Sequence, residues 1–151
     1  MIRHATKYDM PALLEMMRDY SAQAPQEAIK NKDVHNEDHV KQVFTTMLAG
    51  KGFVLIDDEQ RGFIAAMITT NIWCPEVYEL HELAWWVKPE HRTGTLGGRL
   101  WREFDRIAQD MIEDGRIDVA CTSVLANSQF IDYSKRGYKL MQATFFREQT
   151  K

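Results

Sequence analysis

The first fifty residues contain two stretches in which apolar positions recur every three or four residues. The first follows the candidate capping residues Thr6 and Asp9, and its apolar positions are Met10, Leu13, Leu14 and Met17. The second follows Asn36 and ends at Gly50, and its apolar positions are Val40, Val43, Phe44, Met47 and Leu48. This spacing predicts two helices that each bury one face, joined by a polar connection.

The middle of the chain changes to strand-like patterns. Residues 52–56 and 62–70 predict two strands joined by a polar turn, and residues 77–87 predict a longer strand that ends before Pro89. Three consecutive strands after two helices are typical of a mixed, largely antiparallel sheet rather than of a uniformly parallel one.

The last third of the chain begins with a long amphipathic pattern. It predicts a helix over 95–113, whose apolar face is made of Leu96, Leu100, Phe104, Ile107, Ala108 and Met111. A short strand over 117–121, a short helix over 130–136 and a last strand over 138–146 complete the prediction. The pattern indicates the α+β class with helices on both faces of the sheet, in a single domain over 1–151, a usual domain length.

Charge and cysteine content narrow the expected partners and location. The chain has 19 basic and 22 acidic residues, a net charge of −3 that disfavours nucleic acid as a partner. No apolar run reaches the roughly 18 residues that a membrane span needs, and the first residues lack a signal-peptide pattern. Cys74 and Cys121 lie in no metal-binding or redox spacing. We therefore expect a cytoplasmic protein without a membrane partner or a metal.

A glycine-rich turn before the long helix carries the strongest chemical signal. Gly94, Gly97 and Gly98 lie where the helix begins, and Arg92 precedes them. Free backbone N–H groups at a helix start bind phosphate oxygens, and glycine lets the backbone come close to them. The turn lacks the Gly-Lys-Ser/Thr of a P-loop and the Gly-x-Gly-x-x-Gly of a dinucleotide site. A corner with solvated arginines is the plainer alternative.

The segment from Val87 to Gly97 resembles a motif of the GNAT superfamily, the acyl-coenzyme-A-dependent N-acetyltransferases. That motif is Val-x-Pro-x-x-Arg followed by Gly-x-Gly-Ile/Leu-Gly, and Thr93 and Thr95 stand here at the first two glycine positions. The segment from Asp132 to Tyr138 is similar to a second motif of the family, and the predicted elements follow the family's order. The resemblance implies a sheet that splays apart at the cofactor site.

The resemblance implies acetyl-CoA (coenzyme A) as the cofactor. It assigns coenzyme A binding to Trp85, Trp86, Val87, Arg92, Thr93, Gly94, Thr95, Leu96, Gly97, Gly98 and Asn127. Trp85 and Val87 contribute main-chain groups to the pantetheine arm, while the residues from Arg92 onward wrap the diphosphate. Arg99 is left open between a phosphate contact and a solvated helix position.

Amide formation from a thioester needs a base, because an alkylamine with a pKa of about 10.4 is protonated at pH 7. The family takes its base from the strand that here holds Glu82 and His81, and we rank Glu82 first. Strict alternation separates the faces of these two residues, and a bulge, which the resemblance implies, would shift that parity. Tyr133 matches the family's tyrosine and is the candidate acid for the departing thiolate.

The predicted activity is transfer of an acetyl group to a primary amine by direct attack in a ternary complex. Glu79, Trp73 and Tyr78 are the candidate substrate-binding residues, because acidic groups beside aromatic faces suit a cationic amine on a small molecule or a protein. Two alternatives stay open: a non-catalytic acyl-CoA-binding module, and a transferase acting on a nucleic-acid-linked amine. Among similar proteins a homodimer is common, and the sequence is compatible with one.

Overall fold

The computed structural model describes residues 1–30, 35–125 and 131–149. The strands are β1 (Ile2–His4), β2 (Gly52–Asp57), β3 (Gly62–Thr70), β4 (Tyr78–Val87) and β5 (Val119–Cys121). The α-helices are α1 (Met10–Ser21), α2 (Glu27–Lys30), α3 (Glu37–Thr46) and α4 (Leu96–Glu113). Short turns of 3-10 helix cover Lys7–Asp9, Pro89–His91 and Tyr133–Arg136, and one π-helical turn covers Met47–Lys51.

The predicted caps begin both early helices. Thr6 accepts a hydrogen bond from the Tyr8 amide, and Asp9 reciprocates to the Thr6 backbone, which forms a capping box at the turn before α1. Asn36 accepts a hydrogen bond from the His39 amide at the start of α3. The polar side chains thus satisfy amides that have no acceptor inside the helix.

The five strands form one sheet in the order β1-β2-β3-β4-β5. Neighbours from β1 to β4 are antiparallel, while β5 runs parallel to β4. Helices α1 and α3 cover one face of the sheet, where Leu13, Phe44 and Phe63 are buried together. Helix α4 covers the other face through Leu100 and Phe104. The predicted mixed, largely antiparallel sheet with helices on both faces is confirmed.

A β-bulge interrupts β4 at Leu83. Ala65 and Ala66 on β3 pair with Ala84 and Glu82, so Leu83 is the extra residue. Leu80, before the bulge, packs on the α4 face, whereas Ala84, after it, packs on the α1 face. Without the bulge these two even-numbered positions would share a face.

β4 also parts from β5 close to this bulge. The two strands pair only from Glu79 to His81 on β4, and beyond His81 the second edge of β4 has no strand partner in the described part of the chain. The sheet is therefore splayed on the β5 side of residues 82–87.

The prediction of a last strand over 138–146 is wrong. The structure assigns no strand to this segment, and after Tyr138 its apolar residues are open to solvent, with Leu140 and Phe145 each 92% exposed. A strand needs a hydrogen-bonding neighbour as well as a favourable pattern, and this segment pairs with none of the described strands. Further on, the Glu148 carboxylate accepts hydrogen bonds of 3.0 Å from the amides of Glu27 and Ala28 at the start of α2.

Candidate active site

A groove of about 620 Å³ lies where β4 and β5 separate. Its lining comes from four parts of the chain: the end of α1, the second half of β4, the turn that begins α4, and the residues after β5. The lining residues are Tyr20, Gln23, Glu82, Trp85, Trp86, Val87, Arg92, Gly94, Gly97, Gly98, Ser123, Val124, Leu125, Ile131 and Tyr133. The splay of the sheet therefore brings nine of the predicted site residues together. Eight of them lie between Glu82 and Gly98, on β4 and around the start of α4, and the ninth is Tyr133.

Free backbone amides line one end of this groove, at the start of α4. Within the described part of the chain, the N–H groups of residues 93–98 donate to no protein acceptor, and the Arg99 amide donates the first bond of the helix, to the Thr95 carbonyl. An ideal Cβ on Gly94 or Gly98 would meet no atom within 4 Å. Six unpaired amides with the positive end of an 18-residue helix dipole behind them suit an anion with several oxygens.

Arg92 is held rigidly beside these amides. Its Nε donates a 2.8 Å hydrogen bond to the Val87 carbonyl, and its guanidinium lies 4.2 Å from the centre of the Trp86 ring. The contact is a cation–π interaction, which restricts the side chain at the groove wall. The Arg99 side chain has no partner in the described part of the chain.

Glu82 lines the groove, directly before the bulge at Leu83. Burial raises the pKa of Glu82 to about 7, against the opposing effect of hydrogen bonds from the Thr122 side chain and the Ser123 backbone. A carboxyl group with this pKa is partly ionised at neutral pH, so that it both accepts and releases protons there.

Two residues that sequence analysis missed hold Glu82 in place. Thr122 donates a hydrogen bond of 3.2 Å from its Oγ1 to Oε1 of Glu82. The buried Trp101 on α4 donates from its indole Nε1 to the same Thr122 oxygen, also at 3.2 Å. Thr122 follows β5 and Trp101 lies on a helix, so no local pattern connects either one to a carboxylate on β4.

Two phenols face Glu82 from opposite sides. Burial raises the pKa of Tyr133, a hydrogen bond with the Thr122 side chain lowers it, and the negative charge of Glu82 raises it further. The Tyr133 hydroxyl also donates to the Ser123 carbonyl at 3.5 Å. On the other side, burial and the charge of Glu82 raise the pKa of Tyr20, a groove residue that no pattern in the sequence singles out.

Other predicted site residues lie away from the groove lining. His81 and Glu79 form a separate pair on β4, with His81 Nε2 3.2 Å from Glu79 Oε1, and the Asn71 side chain donates to the other Glu79 oxygen at 3.1 Å. Hydrogen bonds from Asn71 and His81 lower the pKa of Glu79. Tyr78 lies half exposed at the start of the same strand, and Trp73 is 85% exposed in the loop before it.

The remaining predicted coenzyme residues fall into three situations. Thr93 and Thr95 are exposed at the rim of the turn, and Leu96 is buried beneath it in the α4 core. Asn127 lies outside the described residues.

Comparisons with known proteins find structural likeness without sequence-level matches. No family model matches the chain, and no curated protein matches it. A GCN5-related N-acetyltransferase from Ralstonia eutropha is 17% identical, with 97% of each chain covered and a TM-score of 0.69. An acetyltransferase from Trypanosoma brucei is 13% identical, with 99% of each chain covered and a TM-score of 0.65. An aminoglycoside acetyltransferase from an uncultured soil metagenomic sample is 16% identical, with coverages of 100% and 96% and a TM-score of 0.62.

These likenesses establish the architecture. The chain has the fold of the GCN5-related N-acetyltransferases over nearly its full length. No helix among the described residues is both long and apolar enough to span a membrane.

Proposed function

We propose that this protein is an N-acetyltransferase that moves an acetyl group from acetyl-CoA to a primary amine by direct attack in a ternary complex. The observation that carries the proposal is the composition of the groove. Unpaired amides lie where α4 begins, and the Glu82 carboxyl group, with a pKa of about 7, lines the same groove. The shared fold supports the same reaction class.

The groove residues fit coenzyme A. The amides of residues 93–98 and the Arg92 guanidinium offer donors and positive charge to the diphosphate, and the open edge of β4 at Trp85 and Val87 offers main-chain groups to the pantetheine arm. Leu96 anchors the turn from the core, while Thr93 and Thr95 offer their backbone amides from its rim. Acetyl-CoA supplies an acetyl group that is already activated as a thioester.

Glu82 is the proposed base. A cationic amine must lose a proton before it attacks, and a carboxylate with a pKa of about 7 accepts that proton at neutral pH without holding it too tightly for release. His81 is the alternative base, and it lies with Glu79 outside the groove lining. Glu79 has a pKa lowered from its ordinary value of 4.5, so it is ionised throughout the neutral range and suits the recognition of a cationic acceptor beside Tyr78 and Trp73.

Tyr133 is the proposed acid. We expect Tyr133→Phe to lower kcat about 10- to 100-fold, because the departing thiolate loses its hydrogen-bond donor, while the KM for acetyl-CoA changes less than threefold. Initial rates of coenzyme A release, measured with a thiol reagent, test this expectation. Tyr138→Phe is the matched control, because Tyr138 packs on the same Trp101 ring but directs its hydroxyl to Asp105, at 2.9 Å. Equal rates in the two variants would remove Tyr133 from the mechanism.

Arg92 is expected to contribute more to coenzyme A binding than Arg99. Arg92 is already ordered by Val87 and Trp86, so binding costs it little side-chain entropy, whereas the Arg99 side chain has no partner in the described part of the chain. Calorimetry should show an affinity for coenzyme A about tenfold lower in Arg92→Ala and less than threefold lower in Arg99→Ala. The reverse order would contradict the assignment.

A panel of amines tests the activity itself. The protein is mixed with acetyl-CoA and with polyamines, aminoglycosides, lysine-containing peptides or aminoacyl-RNA, and acetylated products are identified by mass spectrometry. Acetylation of any primary amine supports the proposal, whereas coenzyme A binding without turnover on the whole panel favours the non-catalytic module. Turnover on RNA-linked amines alone favours the other alternative, which the net charge of −3 opposes.

Both cysteines are free thiols, as is usual in a reducing compartment, which supports a cytoplasmic location.

A further inference from the structure

The Thr122 side chain interacts with the proposed base and lies near the proposed acid. It donates to Glu82 at 3.2 Å and accepts from the indole of Trp101 at 3.2 Å. An indole N–H only donates, so Trp101 must occupy a lone pair of the Thr122 oxygen. That contact leaves the single Thr122 proton free to point at an acceptor in the groove.

The Tyr133 phenol lies against the same hydroxyl. The Tyr133 ring packs on Trp101 with their centres 5.3 Å apart, and the Tyr133 hydroxyl donates to the carbonyl of Ser123, the residue after Thr122, at 3.5 Å. The Thr122 side chain is near enough to lower the pKa of the Tyr133 phenol. A hydroxyl group has one proton and two lone pairs, so it can accept a proton from one side and give its own to the other. Trp101 holds the oxygen at which this exchange takes place.

One turnover leaves the two titratable groups in the wrong protonation states. The ammonium nitrogen loses two protons: Glu82 passes the first to solvent before attack and keeps the second as the amide forms. Tyr133 gives its own proton to the sulfur of coenzyme A. We propose that Thr122, held by Trp101, is a positioning residue that returns the proton from Glu82 to Tyr133. This inference rests on the proposed function. The Thr122 oxygen accepts the Glu82 proton, and the Thr122 proton passes to the Tyr133 phenolate, so that all three groups regain their starting states.

The acidities of the two groups give this transfer its direction. Glu82 has a pKa of about 7, whereas burial raises the pKa of Tyr133 above that of an ordinary phenol. The proton therefore moves from the stronger acid to the stronger base. Two further titratable groups lie beside the pair: Tyr20 on α1 faces Glu82, and Tyr138 packs beside Tyr133 with their ring centres 6.1 Å apart. No ionised side chain among the described residues shifts the pKa of Glu82.

The test compares Thr122→Val, which removes the hydroxyl at constant shape, with Thr122→Ser, which keeps it. The first measurement is the pKa of Glu82, followed by carbon NMR of its labelled carboxyl group, which needs no turnover. We expect Thr122→Val to raise this pKa by at least half a unit, because the ionised form loses a donor, and Thr122→Ser to leave it within 0.2 units. An unchanged pKa in Thr122→Val overturns the inference.

The second measurement addresses proton return. We expect Thr122→Val to lower kcat about tenfold at an unchanged KM for acetyl-CoA, and added imidazole buffer to restore most of the loss by carrying protons from solvent. Thr122→Ser should keep its rate without the buffer. A shifted Glu82 pKa with an unchanged kcat overturns the proton return and leaves the proposed function standing. Absence of turnover in the unaltered protein overturns the proposed function, while the NMR result still decides whether Thr122 controls Glu82.

A second variant guards against a folding defect. Thr122→Val leaves the buried Trp101 N–H without its acceptor, so the double variant Thr122→Val/Trp101→Phe removes the donor and the acceptor together. It should show the same Glu82 pKa as Thr122→Val, with thermal stability closer to that of the unaltered protein. A Glu82 pKa that returns to the original value in the double variant overturns the inference.

Discussion

Glu82→Gln is expected to slow amine acetylation about 100-fold at pH 8 and to make the protein more stable at the same pH. The rate falls because glutamine cannot accept the proton of the attacking ammonium. Stability rises because the native state holds Glu82 in surroundings that disfavour its charge, with the pKa raised from 4.5 to about 7. The glutamine side chain has nearly the same shape and needs no ionisation in the groove.

The sign of the stability effect follows from proton linkage. Between pH 4.5 and 7 the unfolded chain has lost the Glu82 proton while the native state keeps it, so the stability of the unaltered protein falls as the pH rises. Above pH 7 the difference is constant, at about 3 kcal/mol. The melting temperature of Glu82→Gln should therefore exceed that of the parent by roughly 5–10 °C at pH 8.5, and by about half as much at pH 5.5.

Two controls separate this effect from a general loss of charge on β4. Glu79→Gln should change stability in the opposite direction at pH 8.5, because hydrogen bonds from Asn71 and His81 lower the pKa of Glu79 and make its ionised form stabilising. His81→Gln should keep most of the activity if Glu82 is the base. A large rate loss in His81→Gln together with an active Glu82→Gln would assign the base to His81 instead.

The order of elements could be predicted from sequence because each element has its own local pattern. Asn36 caps α3, Thr6 caps the 3-10 turn that leads into α1, and α4 buries the predicted apolar face around Leu100 and Phe104. The last strand could not be predicted correctly, because the alternation over 138–146 says nothing about which edge would pair with it. Pairing depends on the path that the chain takes before this segment.

The residues of the candidate site also fall into those that a local sequence pattern predicts and those that only the folded chain brings together. Arg92 and the glycines of the α4 turn are visible in sequence, because a helix start and its composition are local features. The choice between Glu82 and His81 depends on one extra residue, Leu83, which changes the face of every later residue on β4. The family resemblance implied a bulge here, and the alternation of residue types alone does not place it. Thr122 contacts a residue 40 positions away, so only the folded chain brings it to Glu82.

The start of α4 and the Glu82 side chain have one property in common: in each place a different residue would make the folded protein more stable. α4 has no acidic residue in its first turn, where a negative charge would stabilise the helix, and it has glycines where other residues favour the helix more. Both features suit an anionic ligand. An acidic residue in the first turn would repel the anion, and a side chain in place of a glycine would keep the anion away from the backbone amides. A substitution in this turn should therefore change stability and coenzyme A affinity in opposite directions, and both can be measured.

Gly98→Asp is expected to lower the affinity for coenzyme A about 100-fold while raising the melting temperature by roughly 2–4 °C. An added side chain meets no protein atom within 4 Å of its Cβ, so the variant should fold without strain. The new carboxylate lies in the first turn of α4, where the helix dipole favours it and where the diphosphate would otherwise bind. Calorimetry with coenzyme A and thermal unfolding of the free protein measure the two effects.

Gly98→Asn is the matched control, since asparagine has almost the same size as aspartate and no charge. It should weaken binding only about three- to tenfold, and the remaining difference from Gly98→Asp should shrink as the salt concentration rises, because screening weakens the repulsion between the carboxylate and the diphosphate. If the aspartate and asparagine variants bind coenzyme A equally well, no phosphate approaches these amides. The free N–H groups of residues 93–98 would then be solvated, and the assignment of this groove to coenzyme A would be wrong.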